Sequence, residues 1–403
     1  MSKDLLSLYN PWWEGKGSPV VAEWANKEVR WRPSWIEKLS LEPFSLNFVI
    51  GPRLVGKTTG IHLLIEELLK KVRPEAILYL NLDVAPDPES LRIMLEDYDS
   101  FRRASEVETS YVFLDEVTSL KGWWKVIKGY VDAGFFAKDV LVLTGSSSLR
   151  LRGEVELFPG RMGRGREVIA QPLSFKEFLH VKGVDVKLSG DIEMDMSRLL
   201  PKSRAIRELF HEYLEVGGFP LSVNKDPRAA EYTIRSLEGE LLRAGRDPHL
   251  ARGLVSSILR KAPSPLSYAS MGSELSVSHR TVREYLEIFR ALMVLDRAMY
   301  RRGKKVFWRK ESKFFFLDPF TARSLSLWTL TKFLDAALYE WVVQAHLLRR
   351  YGEVFYYRDS YEVDVLANDL RIEVKVGKPH RRYPRGVKIL DEDNIHLFLA
   401  VIT

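Results

Sequence analysis

With 403 residues, 46% of them hydrophobic, the chain is long enough for roughly two to four domains with ordinary cores. The absence of cysteine excludes disulfides, zinc–thiolate sites and thiol chemistry, and no apolar run approaches the ~20 residues of a membrane span. A net charge of +7 suits a nucleic-acid partner, and the N-terminus lacks a charged-then-apolar leader, so a cytoplasmic protein is expected. Glutamine is limited to Gln171 and Gln344 while Lys, Arg and Glu are abundant, a composition that leans towards a thermophile.

Residues 1–40 hold Trp12, Trp13, Trp24, Trp31 and Trp35 at spacings that are neither helical nor strand-like. Such aromatics either stack on bases or pin an arm onto the domain that follows, and the large apolar area of each favours pinning.

An α/β core is expected over 41–170. Four apolar runs, Ser45–Ile50, Ala76–Leu82, Tyr111–Leu114 and Val140–Thr144, and a shorter one at Glu167–Ala170, alternate with helical segments. This pattern predicts a parallel sheet covered on both faces. Between the first run and a helix over 58–69 lies Gly51-Pro-Arg-Leu-Val-Gly-Lys-Thr58, a glycine, four free residues, then Gly-Lys-Thr. Backbone amides of such a turn, at the positive end of a helix, surround a polyphosphate. Gly51, Pro52, Arg53, Val55, Gly56, Lys57, Thr58 and Thr59 are therefore the expected ATP or ADP contacts, with Lys57 on the outer phosphates and the Thr58 hydroxyl on Mg²⁺. The third apolar run delivers Asp115 and Glu116 to the carboxyl end of a buried strand, where ligands of open α/β sheets bind. Asp115 is placed to hold Mg²⁺ and Glu116 to polarise the attacking water. The run Thr144-Gly-Ser-Ser147 offers a hydroxyl to the same site, of which Ser146 is singled out. Arginine and glycine then crowd together at Arg150, Arg152, Arg161, Arg164 and Arg166. Arg161, followed by Arg164, is the candidate arginine finger, supplied to an adjacent subunit of a homo-oligomer; the same arginines would also serve nucleic-acid phosphate.

Helical periodicity marks Ile206–Leu214. Over 251–320 the pattern is a helix Leu266–Leu275, a turn at Ser276-Val-Ser278 and a second helix His279–Leu292 with Val282, Tyr285, Leu286 and Phe289 on one stripe. His279, Arg280 and Arg283 are left for the outer face, the plan of a helix-turn-helix with its second helix available to a major groove. Strands at Leu295–Tyr300, Val306–Trp308 and Phe314–Leu317 would add a wing. Its tip carries Arg301, Arg302, Lys304 and Lys305 as phosphate contacts.

In the last segment, 321–403, Glu362-Val-Asp364-Val-Leu366, a turn at Asn368-Asp369, and Ile372-Glu373-Val374-Lys375-Val376 alternate charge with apolar residues. Strand geometry places Glu373 and Lys375 on one face and Ile372, Val374 and Val376 towards the core, with the hairpin bringing Asp364 near. Glu340, in a helix over 333–348, would add a further polar group. Asp364 and Glu373 could hold Mg²⁺ or Mn²⁺, with Lys375 assisting the water. Basic residues Lys378, Arg381, Arg382, Arg385 and Lys388 follow and would clamp a DNA backbone.

The opening Asn10-Pro-Trp-Trp13, the loop Gly51–Thr59, Leu114-Asp-Glu116, Thr144-Gly-Ser-Ser147, Phe158-Pro-Gly-Arg161, Pro172-Leu-Ser-Phe-Lys-Glu-Phe178 and Gly217-Gly-Phe-Pro220 occur in order. Together they resemble a prokaryotic, largely archaeal, group of AAA+ ATPases related to the signalling NTPases. The resemblance implies a P-loop AAA+ parallel sheet, a helical lid at 171–250 with Pro220 near the nucleotide, a winged helix and a small α/β nuclease-like domain. Asp364, Glu373 and Lys375 match the PD-(D/E)xK motif, with Val363 where a proline is usual. Leu54 and Gly60 depart from the usual loop pattern, which has a polar or basic residue and an aliphatic one there. The function expected is an ATPase with Mg²⁺ that binds or processes DNA, branched or single-stranded. The alternative is a slow nucleotide-dependent switch recruiting DNA or protein through an inactive nuclease-like fold.

Overall fold

Strands that are apolar on both faces must be covered on both, and here they form one parallel sheet. In the computed structural model, which describes residues 3–145, 158, 160–359, 361–376 and 383–402 (backbone alone at 3–5), these strands are β1 (Ser45–Ile50), β2 (Ile77–Asn81), β3 (Tyr111–Asp115), β4 (Val140–Gly145) and β5 (Glu167–Ile169). Their order is β2-β3-β4-β1-β5 and every pair is parallel. Helices Lys57–Leu68, Pro88–Ala104 and Trp123–Asp132 lie between strands in sequence. Ser146, Arg150, Arg152, Lys378, Arg381 and Arg382, each given a role above, lie outside the described residues.

The chain divides into two compact units, Met1–Gln171 and Pro172–Thr403. In the first, the tryptophan-rich arm covers the exposed edge of the sheet. β2 is an edge strand, and its outer backbone groups need partners. The Asn10 side chain supplies two: its Nδ2 donates to Tyr79 O at 3.0 Å and its Oδ1 accepts from Tyr79 N at 2.7 Å. The indole N–H groups of Trp12 and Trp13 both donate to Ile77 O, at 3.2 and 3.0 Å. Trp12, Trp31 and Trp35 are buried. The arm is thus pinned by its tryptophans, and one amide stands in for a missing strand.

The second unit opens with helices Phe175–Val181, Ile192–Leu199, Ser203–Val216, Ala229–Arg243 and Pro248–Lys261. Helices Tyr268–Leu275 and His279–Ala291 follow, meeting at a turn where Ser278 Oγ caps the second by accepting from Thr281 N at 3.0 Å. A side chain at Gly272 would strike Val277 O, so glycine permits the close turn. Next come β6 (Leu295–Arg302), β7 (Lys305–Val306), β8 (Ser312–Phe316), helices Pro319–Thr329 and Asp335–Tyr351, then β9 (Phe355–Arg358), β10 (Glu362–Ala367), β11 (Leu370–Val374), β12 (Lys388–Leu390) and helix Ile395–Val401.

The boundary expected near residue 320 falls inside one sheet. β6 pairs with β8 on one side and, in parallel through Met299 and Tyr300, with β9 on the other. The order β12-β11-β10-β9-β6-β7, with β8 also on β6, therefore runs from one expected domain into the next. A second expectation is corrected at the hairpin. β11 ends at Val374, so the alternation stops there; Val376 is exposed and does not enter the core, while Glu373 is buried. Among the described residues, no helix is long and apolar enough to cross a membrane.

Candidate nucleotide site and C-terminal carboxylate cluster

The parallel register brings three chain segments to one end of the first sheet. Asn81 aligns with Asp115, and Ile50 with Gly145, so the loop after β1 lies beside the ends of β3 and β4. Within that loop Gly56 has φ 88°, the left-handed region that glycine tolerates, and caps the helix that begins at Lys57. Gly51 is required for a different reason: a Cβ there would lie 2.3 Å from Ala170 O. Leu54, the residue out of pattern, also adopts positive φ. Val55 is buried beneath the loop, while Arg53, Thr58 and Thr59 are half-buried.

Lys57 is buried, and its ammonium donates to Gly51 O at 3.1 Å and Pro52 O at 2.9 Å. Thr58 Oγ1 donates to Asp115 Oδ2 at 2.6 Å. Asp115 is saturated with donors: Oδ2 also accepts from Tyr79 Oη at 3.0 Å, and Oδ1 accepts from Thr144 Oγ1 and from Glu116 N. Thr144 Oγ1 in turn accepts from Glu116 N at 3.2 Å. Glu116 sits at φ 53°, a conformation that few non-glycine residues adopt. Its Oε2 is buried and has no hydrogen-bond partner among the described residues. A hydroxyl and a carboxylate, both hard oxygen donors, meet beside an ammonium at the end of a sheet; this set fits Mg²⁺.

Thr144, Tyr79 and His62 were not singled out from the sequence. Of the hydroxyl run, Thr144 touches both Asp115 and the Glu116 amide, and Ser146 lies outside the described residues. Burial and Asp115 push the Tyr79 hydroxyl well above the ordinary tyrosine range, so it remains a donor. The His62 ring packs 4.5 Å from the Tyr79 ring and shares a 2.9 Å hydrogen bond with Ser18 Oγ. Burial lowers its pKa to about 4, which keeps it neutral next to the site. Tyr79 is also the residue clasped by Asn10, so the arm, the edge strand and Asp115 are joined by direct contacts.

The same arm explains Gly60. A Cβ at this position would lie 2.4 Å from Cζ2 of Trp35, a ring that is 2% exposed. Alanine is ordinarily better than glycine inside a helix by about 1 kcal/mol. Here overpacking, about 1–3 kcal/mol, should outweigh that gain. Gly60→Ala is therefore expected to lower the thermal midpoint, and Trp35→Leu in that background to restore part of it. A midpoint raised by Gly60→Ala alone would show that the ring yields freely.

Met162 and Arg164 lie at the opposite end of β1, and Arg166 beside its middle. Leu46 N donates to Met162 O, Phe48 N to Arg166 O, and Arg164 N to Phe44 O. Gly163 and Gly165 allow this approach, since a Cβ on either would strike the Phe44 or Leu46 backbone. Arg164, held at Phe44, is thus six residues before Ile50, about 20 Å at 3.3 Å per residue. Arg161 is held by Asp132 at 2.6 Å and Arg164 by Glu42 at 2.6 Å. Neither is brought to its own chain's phosphate loop.

In the second unit, Pro220 opens the short helix Pro220–Val223. The glycines before it are bolted down: Gly217 has φ 60° and ψ −152°, and Gly218 N donates to Asp318 Oδ2 at 2.8 Å. Burial pushes the Asp318 carboxyl up to about 7 despite three backbone donors.

Arg280 and Arg283 are exposed on the helix His279–Ala291, with Arg280 paired to Glu284 at 3.2 Å. Arg302, Lys304 and Lys305 are exposed at the hairpin tip, but Arg301 is turned inward, its guanidinium 4.6 Å from the centroid of the Phe355 ring. The sequence reading missed three neighbours: Trp308, 74% exposed, and the exposed Arg309 and Lys310.

The residues expected to bind a second metal are gathered, with an unforeseen partner. Lys313, buried on β8, places its ammonium 2.8 Å from Asp364 Oδ1, 3.0 Å from Glu340 Oε1 and 3.1 Å from Glu362 Oε1. Burial opposes this charge, yet the three carboxylates outweigh it and hold the lysine pKa well above its usual range. Asp364 Oδ2 accepts from Val374 N at 2.9 Å. Glu373 Oε1 accepts from Lys375 Nζ at 2.6 Å and Tyr383 Oη at 3.0 Å. Burial raises Glu340 well above the carboxylate range and also raises Glu373. Among the described residues, no group of three or more His, Cys, Asp or Glu side chains is arranged to hold a metal ion.

Residues 44–179 match the family model AAA_14, described as an AAA domain, and residues 207–332 match a domain of unknown function, DUF8612. The chain is 26% identical over 292 residues to an uncharacterized protein of Haemophilus influenzae, covering 68% of this chain and 67% of that one. It is 24% identical over 393 residues to the uncharacterized protein MJ1544 of Methanocaldococcus jannaschii, covering 89% of this chain and 82% of that one. Among solved structures it is similar to the ORC2 protein of Aeropyrum pernix in ADPNP–ADP complexes, with 11% identity and a TM-score of 0.40, over 71% of this chain and 88% of that one. The domain match and the parallel five-stranded sheet agree on an AAA-type α/β domain for the segment that bears the loop.

Proposed function

We propose that the chain is an ATPase that hydrolyses ATP with Mg²⁺ at the loop Gly51–Thr58 and couples this to DNA held by its second unit. The contact that carries this reading is the 2.6 Å hydrogen bond between Thr58 Oγ1 and Asp115 Oδ2, at the carboxyl end of a parallel sheet and directly before Glu116. The loop amides and Lys57 would hold the phosphates of ATP or ADP. Thr58 and Asp115 would hold Mg²⁺, which when bound offsets charge on the phosphate oxygens. Glu116, with an unpartnered buried oxygen among the described residues, would take the proton of the attacking water. Thr144 fixes both Asp115 and the Glu116 amide. The distance of the arginine loop from its own chain's phosphate loop favours supply of Arg161 or Arg164 to a neighbouring subunit. Pro220 and residues 171–250 would form the lid.

Substituting Glu116 with glutamine should lower ATP turnover about 10²–10⁴-fold, the usual contribution of a general base, with ATP affinity changed only severalfold. Turnover within a factor of a few of wild type would remove Glu116 from the chemistry. Hydrolysis measured with and without DNA separates the two modes of action. Multiple turnover stimulated by DNA supports the enzyme, and rare turnover indifferent to DNA would favour a nucleotide-dependent switch.

For DNA, a winged-helix arrangement of residues 251–320 is supported by the helix pair and hairpin, and by the exposed Trp308 among Arg302, Lys304, Lys305, Arg309 and Lys310. Removing Lys304 and Lys305 together should flatten the dependence of log affinity on log salt by about 1.8, near 0.9 per duplex phosphate contact. Fluorescence anisotropy on labelled duplex, forked and single-stranded DNA reads this; an unchanged slope on each would place the DNA elsewhere.

A further inference from the structure

We infer that Lys313 takes the place of a divalent metal in the carboxylate cluster of the second unit, so that the cluster is a metal-independent ion-pair centre and cleaves nothing. Glu340 comes from the helix Asp335–Tyr351, and Glu362 and Asp364 from β10; their oxygens converge on one point, as hard-cation ligands do. That point is filled by the Lys313 ammonium, at 2.8–3.1 Å from all three. These are hydrogen-bond distances, whereas Mg²⁺ takes oxygen at ~2.0–2.1 Å. Several of these oxygens have further donors, while Glu373 Oε2 is buried with no hydrogen-bond partner among the described residues. Asp364 Oδ2 is held by Val374 N, Glu340 Oε1 by Gln344 Nε2 at 2.9 Å, and Glu373 Oε1 by Lys375 and Tyr383. A metal at Glu373 would face the Lys375 ammonium, 2.6 Å from Oε1.

The lysine is not free to withdraw. It is the second residue of β8, opposite Ala298 of β6, and is 2% exposed. Its ammonium also lies 5.8 Å from the Tyr356 ring centroid. The sheet that joins β8 to β6, and β6 through β9 to β10, is what delivers a residue of the hairpin to carboxylates of the C-terminal strands. The inference does not depend on the ATP site, so either can fail alone.

The test counts Mn²⁺ bound by the nucleotide-free full chain, from the free-ion electron paramagnetic resonance signal up to millimolar metal. Wild type, Asp364→Asn and Glu373→Gln are expected to bind equal amounts. One Mn²⁺ per chain held by wild type and lost in either variant overturns the inference. Lys313→Ala, folded by circular dichroism, is expected to gain one Mn²⁺ per chain and to lose it again on adding Asp364→Asn. A folded Lys313→Ala that gains none overturns the equivalence of lysine and metal.

Discussion

Lys57→Ala should weaken ATP binding roughly 10²–10³-fold and abolish turnover. Its ammonium is the only loop cation whose stem is buried at the helix start, and it already sits on the carbonyls of Gly51 and Pro52. Truncating one partner of a buried charged contact costs about 2–5 kcal/mol, and each 1.4 kcal/mol is tenfold in affinity. The substitution leaves Thr58, Asp115 and Thr144 in place, so a loss of binding with an unchanged circular dichroism spectrum assigns the effect to the phosphates. Titration with a fluorescent ATP analogue reads the affinity. Equal affinity in both proteins would mean that nucleotide, if bound, is bound elsewhere.

The second large effect is on stability. Lys313→Met should destabilise the second unit by about 3–5 kcal/mol, because it strands carboxylates that burial has already cut off from water. Replacing the buried members of the group as well is a different case. With Glu340→Gln and Asp364→Asn added, Glu362 is the one carboxylate of the three left, and it is half-exposed, so part of the loss should return. Urea unfolding of the single and triple variants distinguishes these outcomes. A triple variant less stable than Lys313→Met would show that the carboxylates contribute by something other than their pairing with the lysine.

Much of the first unit was legible in sequence because its signals are local. The run Ser45–Ile50 is β1 to the residue, and the other runs fall on β2 to β5 within a residue or two. The loop and Asp115-Glu116 follow from spacing alone. Strand order was not legible, since nothing in the runs says that β1 lies between β4 and β5. The partners of Asp115 were hidden for the same reason: Tyr79 and Thr144 reach it only through register between neighbouring strands. Asn10 reads as an ordinary polar residue until β2 is known to be an edge. Gly60 looked like a departure from pattern until Trp35 was placed against it.

The C-terminal half shows the limit more sharply. Alternation located β10 and the start of β11, yet it ran on to Val376 because a pattern of charge and valine does not mark where a ladder ends. Lys313 could not be found at all by reading the hairpin or the Glu-x-Lys strand separately. It belongs to a residue pattern of serine, lysine and three phenylalanines on β8, and only the sheet crossing from β6 to β9 gives it carboxylates. The same crossing turned Arg301 onto Phe355 and out of the exposed basic set.

The most direct measurement of the central claim is steady-state phosphate release from ATP and Mg²⁺ by the wild-type chain, beside Lys57→Ala purified in the same way. Release by wild type that is absent from Lys57→Ala is the predicted result. Equal release by the two proteins would contradict the assignment of Gly51–Thr58 as the site of hydrolysis.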